Sequence, residues 1–165
     1  MEKVPAGIER FQLEQEMPPE IERRLVLRLL GHWRALCGER KLPAVSDIDP
    51  TAIPDLWPHS FLLDIDRNEG RHVVRALGDE LDSDSGDTLA GKLVADISED
   101  TLPGKALSYL DEVLRKGVPI SRGGEFFKPD GTRVLYRSVL LPVGDNESSI
   151  SCILGAANCR EVVEY

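Results

Sequence analysis

Residues 33–64 carry three joined phrases: Trp33-Arg34-Ala35-Leu36-Cys37-Gly38-Glu39-Arg40-Lys41-Leu42-Pro43, then Asp47-Ile48-Asp49-Pro50, then Leu56-Trp57-Pro58-His59-Ser60-Phe61-Leu62-Leu63-Asp64. The first phrase ends a helix, because Gly38 accepts the left-handed conformation of a helix stop at least cost. The second is a capped turn: Asp47 and Asp49 are placed to accept backbone N–H groups in an Asx turn and to cap the turn at Thr51. The third leads through Pro58 into a strand. Helix end, capped turn and first strand follow at fixed spacing with no catalytic group among them. The stretch reads as the entrance to an ordered domain.

Working upstream, Ile21, Leu25, Leu29 and Leu36 form one helical stripe, and Val26, Leu30, Trp33 and Cys37 a second beside it. Together they predict an N-terminal helix over 19–38 with a wide apolar face that must be buried. Pro19 suits its first turn, where a missing N–H costs nothing. Residues 1–18 hold Pro5, Gly7 and Pro18 with scattered apolar positions. They read as a flexible arm or as a short helix around Ile8–Gln15 that docks only in an oligomer.

Downstream, Phe61–Asp66 and His72–Leu77 are strand candidates joined by Arg67-Asn68-Glu69-Gly70, a hairpin signal. Asp79 to Gly91, rich in Asp, Ser and Gly, reads as a short-helix connector. A calcium loop counted from Asp82 would have Asp87 where glycine is needed and Leu93 where the bidentate glutamate belongs. Leu102, Ala106, Leu107, Leu110, Val113 and Leu114 predict one long helix, Thr101–Lys116, opened by Ser98, Glu99 and Asp100 and closed by Gly117. Three strands follow, Ile120–Phe127, Arg133–Val143 and Ser149–Ala157, the first two joined by the Pro129-Asp130-Gly131 turn. Helix, two strands, a helical crossover, then three strands argues an α+β fold.

This order and the opening pattern resemble a family of short single-domain PAS-like proteins common in α-proteobacteria. The shared pattern is Trp33, Gly38-x-Arg40-x-x-Pro43, Asp47-Ile48-Asp49-Pro50 and Phe61-Leu62-x-Asp64. It extends over about residues 20–160 and takes in Val74-Arg75-x-x-Gly78, Gly86, Leu89-x-Gly91 and the Pro129-Asp130-Gly131 turn. The chain departs from the pattern at Asp79, where members carry threonine after glycine, and at Ser85, where they carry an aromatic residue. The resemblance implies a five-stranded antiparallel sheet with a helical crossover between its second and third strands, a core over 39–160, and a sensory or interaction role.

Bulk properties set limits. The 165 residues, 41% hydrophobic and 30% charged, suit one domain with an appendage. A net charge of −9 disfavours binding to nucleic acid. The basic run Arg23, Arg24, Arg28 and Arg34 is offset by Glu20 and Glu22 and reads as a solvated helix face. Cys37, Cys152 and Cys159 are odd in number and lack metal or disulfide spacing. No apolar run is long enough for a membrane span, and the N-terminus lacks a secretory signal's apolar core, so a cytoplasmic protein without membrane contact is expected.

The chemical motifs are equally quiet. There is no G-x-S-x-G elbow and no glycine-rich phosphate loop. Of the three histidines, His59 and His72 could meet only through strand pairing, and both read as solvated. Some PAS domains hold haem through a histidine on the long helix; Thr101–Lys116 has none. Relatives that attach flavin use an Asn-Cys-Arg-Phe-Leu-Gln motif, whereas Asn158-Cys159-Arg160 is placed beyond the last predicted strand and continues Glu161-Val162. Haem and covalent flavin are therefore disfavoured, and no cofactor is required.

What remains is an interior. Ile150, Cys152, Leu154 and Ala156 alternate on the last strand, with Leu107, Leu110 and Leu114 of the long helix set to close that face. The space reads as a filled core, or as a pocket for a small apolar ligand in which Arg75 could fix a carboxylate. Val26, Leu30 and Trp33 are the candidate contact surface for a signalling partner or a second copy, unless they cover this molecule's own sheet. With no kinase, cyclase or DNA-binding segment attached, output would travel by contact. The expectation is a non-enzymatic signalling module acting as a homodimer or with another protein. Two other readings stay open: a small cone-fold enzyme of the ketosteroid-isomerase type using Asp64 and Tyr136, and a passive dimeric scaffold.

Overall fold

The computed structural model describes residues 12–13, 24–85, 88–145 and 149–163. Its centre is a six-stranded sheet in the order β1-β4-β5-β6-β2-β3. The strands are β1 (Gln12–Leu13), β2 (Ser60–Asp64), β3 (Val73–Leu77), β4 (Ile120–Phe127), β5 (Arg133–Val143) and β6 (Cys152–Glu161). The last five pair antiparallel, which is the expected sheet. The sixth, β1, was not foreseen: Gln12 and Leu13 pair parallel to Ile120 and Ser121, inside the segment read as a possible helix around Ile8–Gln15. The rest of the 1–23 segment, including the start of the predicted helix, lies outside the described residues.

Helix α1 (Arg24–Cys37) buries Leu25, Val26, Leu29, Leu30, Trp33 and Cys37; of the remaining stripe positions Leu36 is half-buried and Ile21 lies outside the described residues. Short helices follow: α2 (Asp79–Ser85), α3 (Leu102–Ala106) and α4 (Leu110–Lys116). The long helix is thus two. Ser108 is the physical reason: its hydroxyl and its N–H both bond the Lys105 carbonyl, at 2.8 and 3.2 Å. That tightens the chain to three-residue spacing and breaks the ladder. Thr101, not Ser98, caps α3, its Oγ1 accepting the Gly104 N–H at 3.1 Å. Gly117 ends α4 at φ 69°, as read.

Strand register assigns the two faces of the sheet. Phe61 opposes Gly155 and Leu63 opposes Ile153, so these share one face with Leu140 and Ser138 of β5. Helices α3 and α4 cover it. Ser60, Leu62, Cys152, Leu154, Ala156, Val139, Leu141 and Val143 share the other face, and α1 contacts β5 and β6 there. Both faces are buried, so the sheet is the middle of three layers.

Candidate functional site

On the α3–α4 face, Phe61, Leu63, Val74, Leu77, Leu89, Ile97, Pro103 and Leu107 enclose a cavity of ≈ 10 Å³. That is the threshold for a single water, and the lining is wholly apolar. Phe61 fills the space: its ring lies over Gly155, where an added Cβ would stand 2.3 Å from the ring. Among the described residues, the space between Phe61, Leu63 and Leu107 is closed to about the size of one water.

The predicted pocket residues divide. Leu107 lines the cavity. Leu110 is buried beside an open groove, and Leu114 is half-buried against the core. Cys152 and Leu154 lie on the opposite face of the sheet, under α1, because β6 alternates Ile153 and Gly155 toward α3–α4 instead. Alternation alone could not say which face was which. Arg75 is the bulged residue of β3, since Leu62 opposes Ala76 and Leu63 opposes Val74. Its guanidinium is exposed and pairs with Asp64 at 2.7 Å, so it does not reach the interior.

Val26, Leu30 and Trp33 are 0%, 5% and 5% exposed, buried against the molecule's own sheet. The Trp33 Nε1–H donates to the Pro142 carbonyl at 2.8 Å, tying α1 to the end of β5. At the C-terminus of α1, Arg40 donates to the Leu36 carbonyl at 2.8 Å and the Cys37 carbonyl at 3.3 Å. It also pairs at 2.7 Å with Asp47, which accepts the Ala44 N–H at 2.9 Å. Asp49 accepts from the Thr51 N–H at 3.0 Å. These bonds hold both carboxyls below the ordinary carboxylate range, Asp47 chiefly through Arg40 and Asp49 chiefly through the Thr51 hydroxyl. Arg28 pairs with Asp55. The quoted opening motif is therefore a latch that seats α1.

Gly78 belongs to the same structure. A Cβ there would meet the Trp57 carbonyl at 2.1 Å, while its N–H bonds the Ser60 carbonyl at 2.8 Å. Only glycine permits that approach.

One polar network escaped the sequence reading. Tyr109, between α3 and α4, is buried and its hydroxyl shares a 2.7 Å hydrogen bond with Ser138 on β5. Arg122 lies 5.2 Å over its ring and pairs with Glu112. Burial pushes the phenol well above its ordinary value. The signal available was Tyr109 inside an apolar stripe, which demands a hydroxyl partner.

Cysteine chemistry is muted. Burial pushes the thiols of Cys37 and Cys152 up to about 11. Cys159 is exposed and lies within β6, opposite Tyr136, rather than beyond the last strand, because the strand runs on to Glu161. Among the described residues no three His, Cys, Asp or Glu side chains gather as a metal site, and no helix is long and apolar enough to cross a membrane.

With the three-layer fold and the latched helix on the page, comparison with known proteins gives the class. The PAS domain family model matches residues 22–158, and the chain belongs to that family, with the fold of a sensor module. No curated protein is detectably similar. Among solved structures, the LOV domain of a blue-light activated histidine kinase from Erythrobacter litoralis is 11% identical, with TM-score 0.46 over 63% of this chain and 96% of that one. The blue-light photoreceptor Aureochrome1 LOV, in its dark structure, is 14% identical, with TM-score 0.47 over 71% and 85%. Photo-excited Vivid is 11% identical, with TM-score 0.46 over 78% and 93%. Likenesses of this degree assign this chain neither a light response nor a bound group.

Proposed function

We propose that this PAS domain is a non-enzymatic interaction module in which α1 and a partner compete for one face of the sheet. One observation carries the reading. Leu62, Val139, Leu141, Val143, Cys152, Leu154 and Ala156 form a continuous apolar face, and its cover is a helix that precedes strands β2–β6 in the chain. Uncovered, such a face is a protein-binding surface. Val26, Leu30 and Trp33 are then contact residues in two states: against the sheet when latched, and available to a partner when released. The partner is a signalling protein or a second copy, giving a homodimer. In this reading the helix Arg24–Cys37 and the core from residue 39 to 160 act as separable parts, with the segment 1–18 anchored to the core through Gln12–Leu13.

The enzyme reading finds little support. Asp64 is half-exposed and paired with Arg75, and Tyr136 stands on the other face against Phe126. The net charge of −9 supports a protein rather than a nucleic-acid partner, and a cytoplasmic setting accords with three cysteines that form no disulfide. Haem held by a histidine of α3 or α4 and flavin attached through an Asn-Cys-Arg-Phe-Leu-Gln motif are disfavoured on the sequence, since those helices lack histidine and Asn158-Cys159-Arg160 continues Glu161-Val162.

The test is native mass spectrometry of the full chain beside Trp33→Ala. The variant is expected to gain species at twice 18.3 kDa, or to capture apolar dye, while its strand signal in circular dichroism stays. A folded variant that remains monomeric and dye-silent contradicts the proposal.

A further inference from the structure

An open groove of ≈ 460 Å³ lies between the lead-in to β3 and the α3–α4 pair. Its apolar floor includes Ile97, Leu107 and Leu110. Ile97 and Leu107 also wall the interior cavity, so groove and cavity stand back to back across two side chains. The rim is polar: Glu99 and Asp111 carry negative charge and form no ion pair among the described residues, and no Lys or Arg is among the lining residues. His72 completes the wall. Its Nδ1 accepts the Asp66 N–H at 3.1 Å, which leaves the proton of the neutral ring on Nε2.

We infer that this groove binds a small amphipathic cation, an alkyl or aralkyl ammonium. The apolar part would lie on Ile97, Leu107 and Leu110, and the ammonium between Glu99 and Asp111. The argument is charge complementarity joined to shape. A carboxylate ligand, the class Arg75 would have selected, meets two carboxylates here and no cation. A neutral apolar ligand gains the floor but leaves the rim unused. The volume falls within the range of small-molecule sites, and the −9 chain concentrates cations near it. As a sensory input the groove rests on the reading proposed above; as a binding site it does not. Its position gives a route for that input, since an occupant pressing on Leu107 presses on the same wall that Phe61 fills from within.

The test titrates full-length, isotope-labelled protein with hexylammonium, hexanoate and hexanol in low salt, following backbone amide shifts and the Trp33 indole. Expected is saturable hexylammonium binding with shifts at 97–99 and 107–111, none with hexanoate, and weaker binding of hexanol. Glu99→Gln with Asp111→Asn should weaken hexylammonium roughly tenfold while leaving hexanol unchanged. Equal binding of hexanoate, no groove shifts with hexylammonium, or an unaffected double variant overturns the assignment. If hexylammonium binds and the Trp33 indole stays still, the site stands and the coupling to α1 is refuted. An indole that moves without groove shifts overturns the site alone.

Discussion

Asp47 joins two pieces of backbone to one charge: it accepts the Ala44 N–H and pairs with Arg40, which in turn holds the last carbonyls of α1. Its carboxyl is held below the ordinary 3.8. A lowered folded value means this link stabilises the fold fully above about pH 4, and that the contribution is lost as pH falls through the folded value. Asp47→Asn should therefore narrow the difference between urea midpoints at pH 7 and pH 3; an unchanged difference would reject the latch. Trp33→Phe keeps an aromatic ring but removes the bond to Pro142 and part of the packed volume, for an expected loss of about 1–3 kcal/mol. Trp33→Ala adds a cavity and should cost about 3–5 kcal/mol in the same urea titration. The cysteines give a third check. With Cys37 and Cys152 buried and their thiols raised, iodoacetamide at pH 7.5 should label Cys159 alone within the time that denatured protein takes up three labels.

Among the elements, β6 and α3–α4 show what patterning reveals and what it hides. Ile120–Phe127 and Arg133–Val143 were legible to the residue, because turn chemistry at Pro129-Asp130-Gly131 fixes both ends. The end of β6 was not: Asn158, Cys159 and Arg160 lack apolar alternation, and they join the sheet because the eleven-residue β5 offers backbone partners as far as Val134. The break at Ser108 was hidden too, since an apolar stripe at helical spacing continues across it. Packing at Gly155 is a testable consequence of the register. Gly155→Ala should destabilise the fold by about 1–3 kcal/mol through collision with the Phe61 ring. Phe61→Leu should lessen that penalty, giving a nonadditive double-mutant cycle. An additive cycle would mean the two side chains do not share the space.

Taken as a whole molecule, the three layers explain why the site was only half legible. The sequence showed two apolar faces, on the N-terminal helix and on the sheet, and the antiparallel order that brings them together. It could not tell which face of β6 looked toward α3–α4, so Cys152 and Leu154 were placed with Leu107 when a sheet lies between them. Nor could it foresee that the β3 bulge would turn Arg75 out to Asp64. The functional account rests on α1 being a cover that opens without the sheet unfolding. Local opening of that kind has its own free energy, below that of the whole domain. Native-state hydrogen exchange measures it directly. The account predicts that amides of Arg24–Cys37 exchange by a smaller opening than those of Val139–Val143 and Cys152–Ala157, and that Asp47→Asn widens the gap. Equal protection in helix and sheet, unchanged in the variant, would make α1 an inseparable part of the core and contradict the account.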